Sequence, residues 1–438
     1  MRKSSRIFIY VFCVLNSISG LQIAGIPLNT VFVGLFAAFI VLVYMVNRKQ
    51  AIRIKKRDYF AIYIICAILS CAFSMLYTYS LPHISIVSSY LLNCIIYLII
   101  FVLMRNCKEE YKNEFINAFM NGLIYAARIQ AVWGLLQLVL LYTFGININQ
   151  ILFVDILHST NSRDWIMGFY TGKSWNMRIT GLNFENSMFA LVICVGMALD
   201  NNLIWKLLLM LTATLSLSRT GWIMVAGYVI LMFVRWFRIR RKAISSKRII
   251  AFFAVLFVAL VTYFRNSAVQ RQVSNILLRL TDTTALSVSA SRHLLYYPYG
   301  IALWFTDANP MQKLFGYGMR CSGIAFSQNN QVASVVGIFE NFGSAWAVEC
   351  DAIGLFLGGG LLAFLFYYFT VFQILRNRYN LYRDAVFIIL VGGLTYHYHS
   401  ISYVVFILLF AALEKNKGVK EFYPSPMNHS GRAIRCEA

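Results

Sequence analysis

The sequence predicts an all-α fold, a polytopic membrane bundle of about twelve helices, and three observations carry that expectation. Hydrophobic residues make up 59% of the 438 positions and charged residues 13%, against roughly 45–50% and about 25% in soluble domains. So few charges cannot coat a water-facing surface. The apolar residues fall in runs close to the length, about 20 residues, that carries a helix across roughly 30 Å of hydrocarbon. Finally, Lys and Arg are sorted between alternate connections. The first observation excludes a soluble enzyme, a coiled coil and a disordered chain. Six Pro, 26 Gly and the lack of low-complexity stretches exclude a fibrous or linker-rich protein. The nine cysteines show no CxxC or His-pair spacing. Cys66, Cys71, Cys94 and Cys194 lie in apolar runs, where cysteine acts as a small hydrophobe, so neither a disulfide framework nor a zinc site is expected.

In chain order, Arg2, Lys3 and Arg6 precede an apolar run at 7–24, which reads as a retained first helix rather than a cleaved leader. Runs follow at 28–46, 60–77, 84–104 and 127–144, then at 182–199, 203–217, 222–237 and 249–264, and last at 348–372, 385–396 and 401–413. The run at 203–217 is short, and the final two share the polar knot Tyr396-His397-Tyr398-His399. With the N-terminus cytoplasmic, the connections on that side carry Arg48, Lys49, Arg53, Lys55, Lys56 and Arg57, then Arg105, Lys108 and Lys112, then Lys206. The same side continues with Arg235, Arg238, Arg240, Arg241, Lys242, Lys247 and Arg248, then Arg376, Arg378 and Arg383, then Lys415, Lys417 and Lys420. The opposite connections at 25–27 and 79–83 hold no Lys or Arg. This asymmetry places both termini in the cytoplasm. It also makes most of the +22 net charge a topological signal, so no nucleic-acid partner is expected.

The expected organisation is five helices in 1–144, a long outward loop at 145–181, four helices in 182–264, a large outward loop at 265–347, three helices in 348–413 and a cytoplasmic tail at 414–438. Both loops are rich in Trp, Tyr, Phe and Ile rather than in the residues of disordered segments. Within the second, 268–280 and 294–305 read as helices. Long ordered loops are commonly functional, and capping the bundle is the other role open to them.

The outward side carries Arg163, Arg178, Arg219, Arg265, Arg271, Arg279, Arg292 and Arg320 but only two lysines, Lys173 and Lys313. A guanidinium offers a planar fork of donors that matches phosphate and keeps its charge when partly buried. The cluster suits a lipid-linked pyrophosphate, although loop salt bridges and lipid headgroups would also use it. Arg219, in Ser216-Leu217-Ser218-Arg219-Thr220-Gly221, stands at the outer junction of two apolar runs, where a charge is costly unless paired or facing a wet cavity. Ser218 and Thr220 can hydrogen-bond locally, and Gly221 lets the chain turn. Arg128 is expected to snorkel from the inner end of its span. Glu340, Glu349 and Asp351 fall before and at the outer boundary of the tenth run; each is either a proton acceptor or a salt-bridge partner of an arginine. Gly316-Tyr317-Gly318 lacks the strand-to-helix context of a nucleotide loop and reads as a tight turn allowing close backbone approach. His293, His397 and His399 have no metal-ligand spacing, so no metal is expected.

These segments, in this order, resemble the O-antigen polymerase and O-antigen ligase superfamily of polysaccharide-assembly membrane proteins. Arg178-Ile179-Thr180-Gly181 with Asn183 and Asn186 looks like the family's Arg-x-x-Gly segment, and Ser218-Arg219-Thr220-Gly221 looks like its Ser-Arg-Ser/Thr-Gly motif. Ser291-Arg292 with Trp304, followed by Pro310 and Gly316-Tyr317-Gly318, looks like the large-loop arginine and its Gly-x-Gly turn. Asn341, Glu349 and Gly354 keep the spacing of the segment leading into the next helix. One departure stands out: Glu340 occupies the position where the family commonly has histidine, and this tilts the reading from ligase toward polymerase.

The resemblance implies metal-independent glycosyl transfer outside the cytoplasm, without a cofactor, in a bacterial cytoplasmic membrane. The donor would be a glycan on undecaprenyl pyrophosphate and the acceptor a lipid-linked repeat unit, with a chain-length regulator protein in the same membrane as a partner. Arg178, Arg219, Arg292 and Arg320 would hold the pyrophosphates, and Glu340 or Glu349 would take the proton of the attacking hydroxyl. Trp165, Trp175, Tyr296, Tyr297 and Trp304 would stack on sugars or anchor the loops at the interface. The rival readings are a ligase acting on lipid A core, a flippase, an ion-coupled transporter and a scaffold. The spans are nearly charge-free and show no internal repeat, which weighs against a flippase or transporter.

Overall fold

The computed structural model describes residues 1–18, 22–23, 26–47, 58–76, 81–158, 179–183, 185–239, 283–329, 331–332, 348 and 350–414. Among them the fold is helical; the extended structure is a two-residue antiparallel pairing of Gln22–Ile23 with Ile26–Pro27. The helices are α1 Lys3–Asn16, α2 Leu28–Asn47, α3 Tyr59–Leu76, α4 Leu81–Arg105, α5 Glu109–Phe144, α6 Asn186–Leu199, α7 Leu203–Leu215 and α8 Arg219–Ile239. After these come α9 Thr283–Thr306, the short α10 Pro310–Phe315 and α11 Gly323–Ser327, then α12 Asp351–Arg376, α13 Arg383–Gly392 and α14 Ser402–Leu413. A π-helical turn covers Gln150–Ile156. In α2, α3, α4, α5 and α12, five helices among the described residues, the chain is long and apolar enough to cross a membrane, and α6, α7 and α14 are shorter apolar helices. The chain is a multi-pass membrane protein.

Two of the short helices, α6 and α14, are enclosed by the rest of the fold, whereas α7 exposes Leu203, Ile204, Leu207 and Leu211. Almost every residue of α6 and α14 is buried, with Leu191, Val192, Ile193, Phe406, Ile407 and Leu408 all at 0% exposure, as expected of helices that are apolar all round. Small residues set the closest approaches. A Cβ on Gly196 of α6 would stand 2.1 Å from the Ala127 Cβ of α5, and one on Gly221 of α8 would stand 2.8 Å from the Ala190 Cβ of α6. Gly221 is therefore a contact point inside a helix and not the turn the sequence suggested; the left-handed residue before α8 is Leu217, at φ 52°.

Several boundaries differ from the apolar runs. The first helix stops at Asn16, and the fifth starts eighteen residues before its run, at Glu109, with Lys112 bonded to Glu109 at 2.7 Å. At 36 residues and about 1.5 Å per residue, α5 is longer than a bilayer core is thick. The expected large loop contains the 24-residue α9, while the expected helices at 249–264 and 268–280 lie outside the described residues. The run at 385–396 is helical only to Gly392. Arg128 does not snorkel. Its Nε and Nη2 donate to the Asp200 carboxylate at 2.8 and 3.0 Å, with Asp200 2% exposed.

The tenth run is also not one helix. Within α12, Gly360 has φ 71° and ψ 179°, a break in the helical path. Gly316-Tyr317-Gly318 docks on that break: Tyr317 N donates to Leu357 O and Gly318 N to Gly358 O, both at 2.9 Å, and Ser70 Oγ donates to Gly358 O at 2.9 Å. Irregular backbone at membrane depth survives only when its polar groups are satisfied within the protein, and these bonds satisfy it. A Cβ on Gly316 would sit 2.2 Å from Gly358 O, so the turn needs glycine where its backbone meets α12.

Candidate functional site

The nonhelical stretch 393–401, between α13 and α14, lies where four helices begin among the described residues: α6, α8, α12 and α14. Each is tied to it. The Tyr396 hydroxyl hydrogen-bonds Glu185, the residue before α6, and the Tyr398 hydroxyl donates to Ser187 O at 3.1 Å. Thr395 Oγ1 lies 3.0 Å from Thr220 Oγ1 in the first turn of α8. Asp351, the first residue of α12, donates its N–H to Gly393 O at 2.8 Å. The Tyr297 hydroxyl on α9 donates to Leu394 O at 3.2 Å. Helix starts present unpaired N–H groups and partial positive charge, so a convergence of them favours an anion.

Local sequence explains how each element arrives. Ser218 caps α8, accepting from Gly221 N at 3.2 Å, which makes Arg219 the first helical residue. Ahead of α6, residues 179–183 are held by buried glutamines of α5: Gln137 Oε1 accepts from Thr180 N and Gly181 N at 3.3 and 2.9 Å, and Gln130 Oε1 from Leu182 N at 2.7 Å. Asn149 adds a bond to Gly181 O at 2.8 Å and is itself held by Trp133 Nε1 at 2.8 Å.

The arginines divide into two groups. Arg105 pairs with Asp58, Arg128 with Asp200 and Arg235 with Asp384. Arg219 and Arg320 have no salt bridge or side-chain hydrogen bond among the described residues. Arg219 is half-buried at the positive end of α8, where a cation is disfavoured by about 0.3–1 kcal/mol. Arg320 is exposed with φ 67°, a left-handed conformation unusual for a side-chain-bearing residue, in the turn that docks on the α12 break. The two border one stretch: Arg219 adjoins Thr220, which meets Thr395, and the Arg320 charge acts on His397. Burial, then Arg320 and His399, push the His397 imidazole down to about 3, so it is neutral at physiological pH. Lys313, by contrast, is engaged, donating to Phe305 O at 3.1 Å over the Trp304 ring.

Of the other expected residues, Arg292 lies in α9 five positions before Tyr297, and Arg178 immediately precedes the locked segment at 179. Arg178, Glu340, Glu349, Trp165 and Trp175 lie outside the described residues. Trp304 is half-buried against Phe305 and Phe356, at ring centroid distances of 4.8 and 4.9 Å. Tyr296 is buried against Phe326.

Asp351, read in the sequence as either a proton acceptor or a partner of arginine, accepts from His399 and has no arginine partner among the described residues. Both the backbone N and Nδ1 of His399 lie 2.7 Å from Asp351 Oδ1. The sequence could not join residues 48 positions apart with no spacing motif between them, although a histidine beside a membrane helix was itself a signal. Glu185, which anchors Tyr396, carried no such signal. Among the described residues, no three His, Cys, Asp or Glu side chains stand close enough to share a metal ion. No protein-family profile matches the sequence, and no curated protein matches it either.

Proposed function

We propose that this chain is a polymerase of lipid-linked oligosaccharide repeat units, acting on the outer face of a bacterial cytoplasmic membrane in O-antigen, capsule or exopolysaccharide assembly. In this reading the bundle has about twelve crossings, both termini are cytoplasmic, and the end holding Arg219 and Arg320 faces outward. One observation carries the reading: the two arginines that border 395–399 at the convergent helix starts have no acidic partners, whereas Arg105, Arg128 and Arg235 are each paired with an aspartate. Unpaired guanidinium groups beside helix N-termini are suited to a diphosphate, which their planar donors can grip bidentately.

The donor is a growing glycan on undecaprenyl pyrophosphate and the acceptor an incoming lipid-linked unit. A hydroxyl of the acceptor attacks the anomeric carbon of the donor glycan, and the bond to the pyrophosphate oxygen breaks with its electron pair leaving on the pyrophosphate. Arg219 and Arg320, joined by Arg178 and Arg292, hold both diphosphates and stabilise the charge that develops on the leaving one. The family resemblance gives the proton-accepting role to Glu340 or Glu349, and a chain-length regulator in the same membrane would set when transfer stops.

Expression of Arg219→Ala and Arg320→Ala in cells lacking the native protein tests this. Both variants should reach the membrane at normal levels yet leave single repeat units where the parent makes long chains, since removing one such donor costs about 10²–10³ in rate. Full-length glycan ladders from both would end the proposal. Offering lipid A core alongside lipid-linked units separates polymerase from ligase by which acceptor is extended.

A further inference from the structure

The transfer reading leaves one enclosed pair without a task. His399 is 1% exposed and Asp351 4%, and the two are joined at 2.7 Å through Nδ1 and again through the His399 backbone N–H. The slot around them is lined by glycine. A Cβ on Gly393 would stand 2.4 Å from Asp351 Oδ2, and one on Gly354 would stand 3.2 Å from His399 Cε1. With Nδ1–H donating to the carboxylate, Nε2 is left with its lone pair and has no hydrogen-bond partner among the described residues; neither has Nδ1 of the neighbouring His397. A buried polar atom without a partner calls for an explanation beyond packing. The titratable and charged groups around the pair are Cys350 just before α12, Tyr367 and Tyr368 of α12, Tyr63 of α3, Tyr297 of α9, His397 and Tyr398 of its own stretch, and Arg320 beside His397.

We propose that His399 Nε2 is the proton acceptor for the attacking sugar hydroxyl, and that Asp351 is a positioning residue that fixes its tautomer. The inference rests on the polymerase reading and moves the base from Glu340 or Glu349 to the imidazole. An imidazole whose Nδ1 is fixed on a buried aspartate presents Nε2 as a lone-pair acceptor in one orientation. As the hydroxyl oxygen bonds to the anomeric carbon and the pyrophosphate departs with the electron pair, the hydroxyl proton passes to Nε2. Asp351 offsets the imidazolium charge, and the proton then leaves to water.

The test measures polymer formation by the purified full-length protein in lipid nanodiscs, with a defined lipid-linked repeat unit, between pH 5 and 9. Wild type should lose rate on the acid side along a single ionisation. His399→Gln should lose about 10²–10⁴ in rate and its acid limb while still binding the lipid diphosphate, read as thermal stabilisation by added substrate. Asp351→Asn should shift the acid limb of the remaining activity to lower pH, because the imidazolium loses its counter-charge. A wild-type rate and limb in His399→Gln would overturn the assignment. So would loss of binding together with rate, which is a structural effect, or loss of the limb in Glu340→Gln or Glu349→Gln with His399→Gln unaffected. If wild type itself forms no polymer, the polymerase reading has failed, and that outcome is distinct from each of these.

Discussion

Arg128 and Arg219 are both arginines at the edge of apolar helices, and they stand in opposite electrostatic settings. Arg128 is neutralised by Asp200 through two hydrogen bonds; removing one member of such a partly buried pair strands the other and costs about 1–3 kcal/mol, somewhat below the fully buried case. Arg219 begins α8 with no acidic partner among the described residues, so its removal relieves an unfavourable helix–charge interaction of about 0.3–1 kcal/mol. Thermal melting of the solubilised protein should therefore show Asp200→Ala below wild type and Arg219→Ala level with it or slightly above. That pattern fits a residue kept for function at some expense of stability. A drop for Arg219→Ala as large as that for Asp200→Ala would make Arg219 a structural residue. The sequence marked Arg219 as exceptional because a charge at the junction of two apolar runs is readable from hydropathy alone. It read Arg128 as structural, which the pair with Asp200 agrees with, but expected snorkelling instead of that pair because the partner is 72 residues away.

Among the elements, α12 departs furthest from its sequence appearance. Gly358-Gly359-Gly360 extends an apolar run, and hydropathy carries no information about φ, so the break at Gly360 was not legible. The matching half was: Gly316-Tyr317-Gly318 read as a turn for close backbone approach, and it meets the break through two backbone bonds. Adding a methyl group at either side should be severe. A Cβ on Gly316 would meet Gly358 O at 2.2 Å and one on Gly360 would meet Leu314 O at 2.4 Å, with φ at +79° and +71°. Gly316→Ala and Gly360→Ala should each destabilise by more than about 2 kcal/mol, combining left-handed strain with overlap. Gly34→Ala in α2, where a Cβ meets nothing within 4 Å, should be neutral or stabilising by up to about 1 kcal/mol. Yield and melting temperature of the three variants check the contrast, and an unaffected Gly360→Ala would mean that the break is not held in place by this docking. The start of α5 was hidden for a different reason: Glu109, Glu110, Lys112 and Glu114 interrupt the apolar pattern without interrupting the helix.

Over the whole molecule, apolar runs located most helices but not their reach. Five described helices can span a membrane, while α6 and α14 are short and wrapped by the others. A short helix with no lipid contact needs no membrane-matched length, so its run says only that it is buried. The proposed orientation rests on charge: it puts Arg376, Arg378 and Arg383, where α12 stops and α13 starts, on the cytoplasmic side, and the junction of α9 and α10 on the other. Thiol labelling in intact cells reads this directly. A cysteine at Asp307, exposed between α9 and α10, should react with a membrane-impermeant reagent, and one at Tyr379, 51% exposed, should react only after permeabilisation. The described native cysteines are buried, which keeps the background low. The reverse pattern would invert the bundle and put the convergent helix starts on the cytoplasmic side.

The stretch 393–401 knots together the beginnings of α6, α8 and α12, yet it is translated after all of them. A ribosome must therefore release nearly the whole polypeptide into the bilayer before these helix starts are tied together. On the proposed reading, nascent chains would be inert toward lipid-linked diphosphates until this stretch arrives, and a stop codon anywhere upstream of Gly393 would leave the starts of α6, α8 and α12 untied.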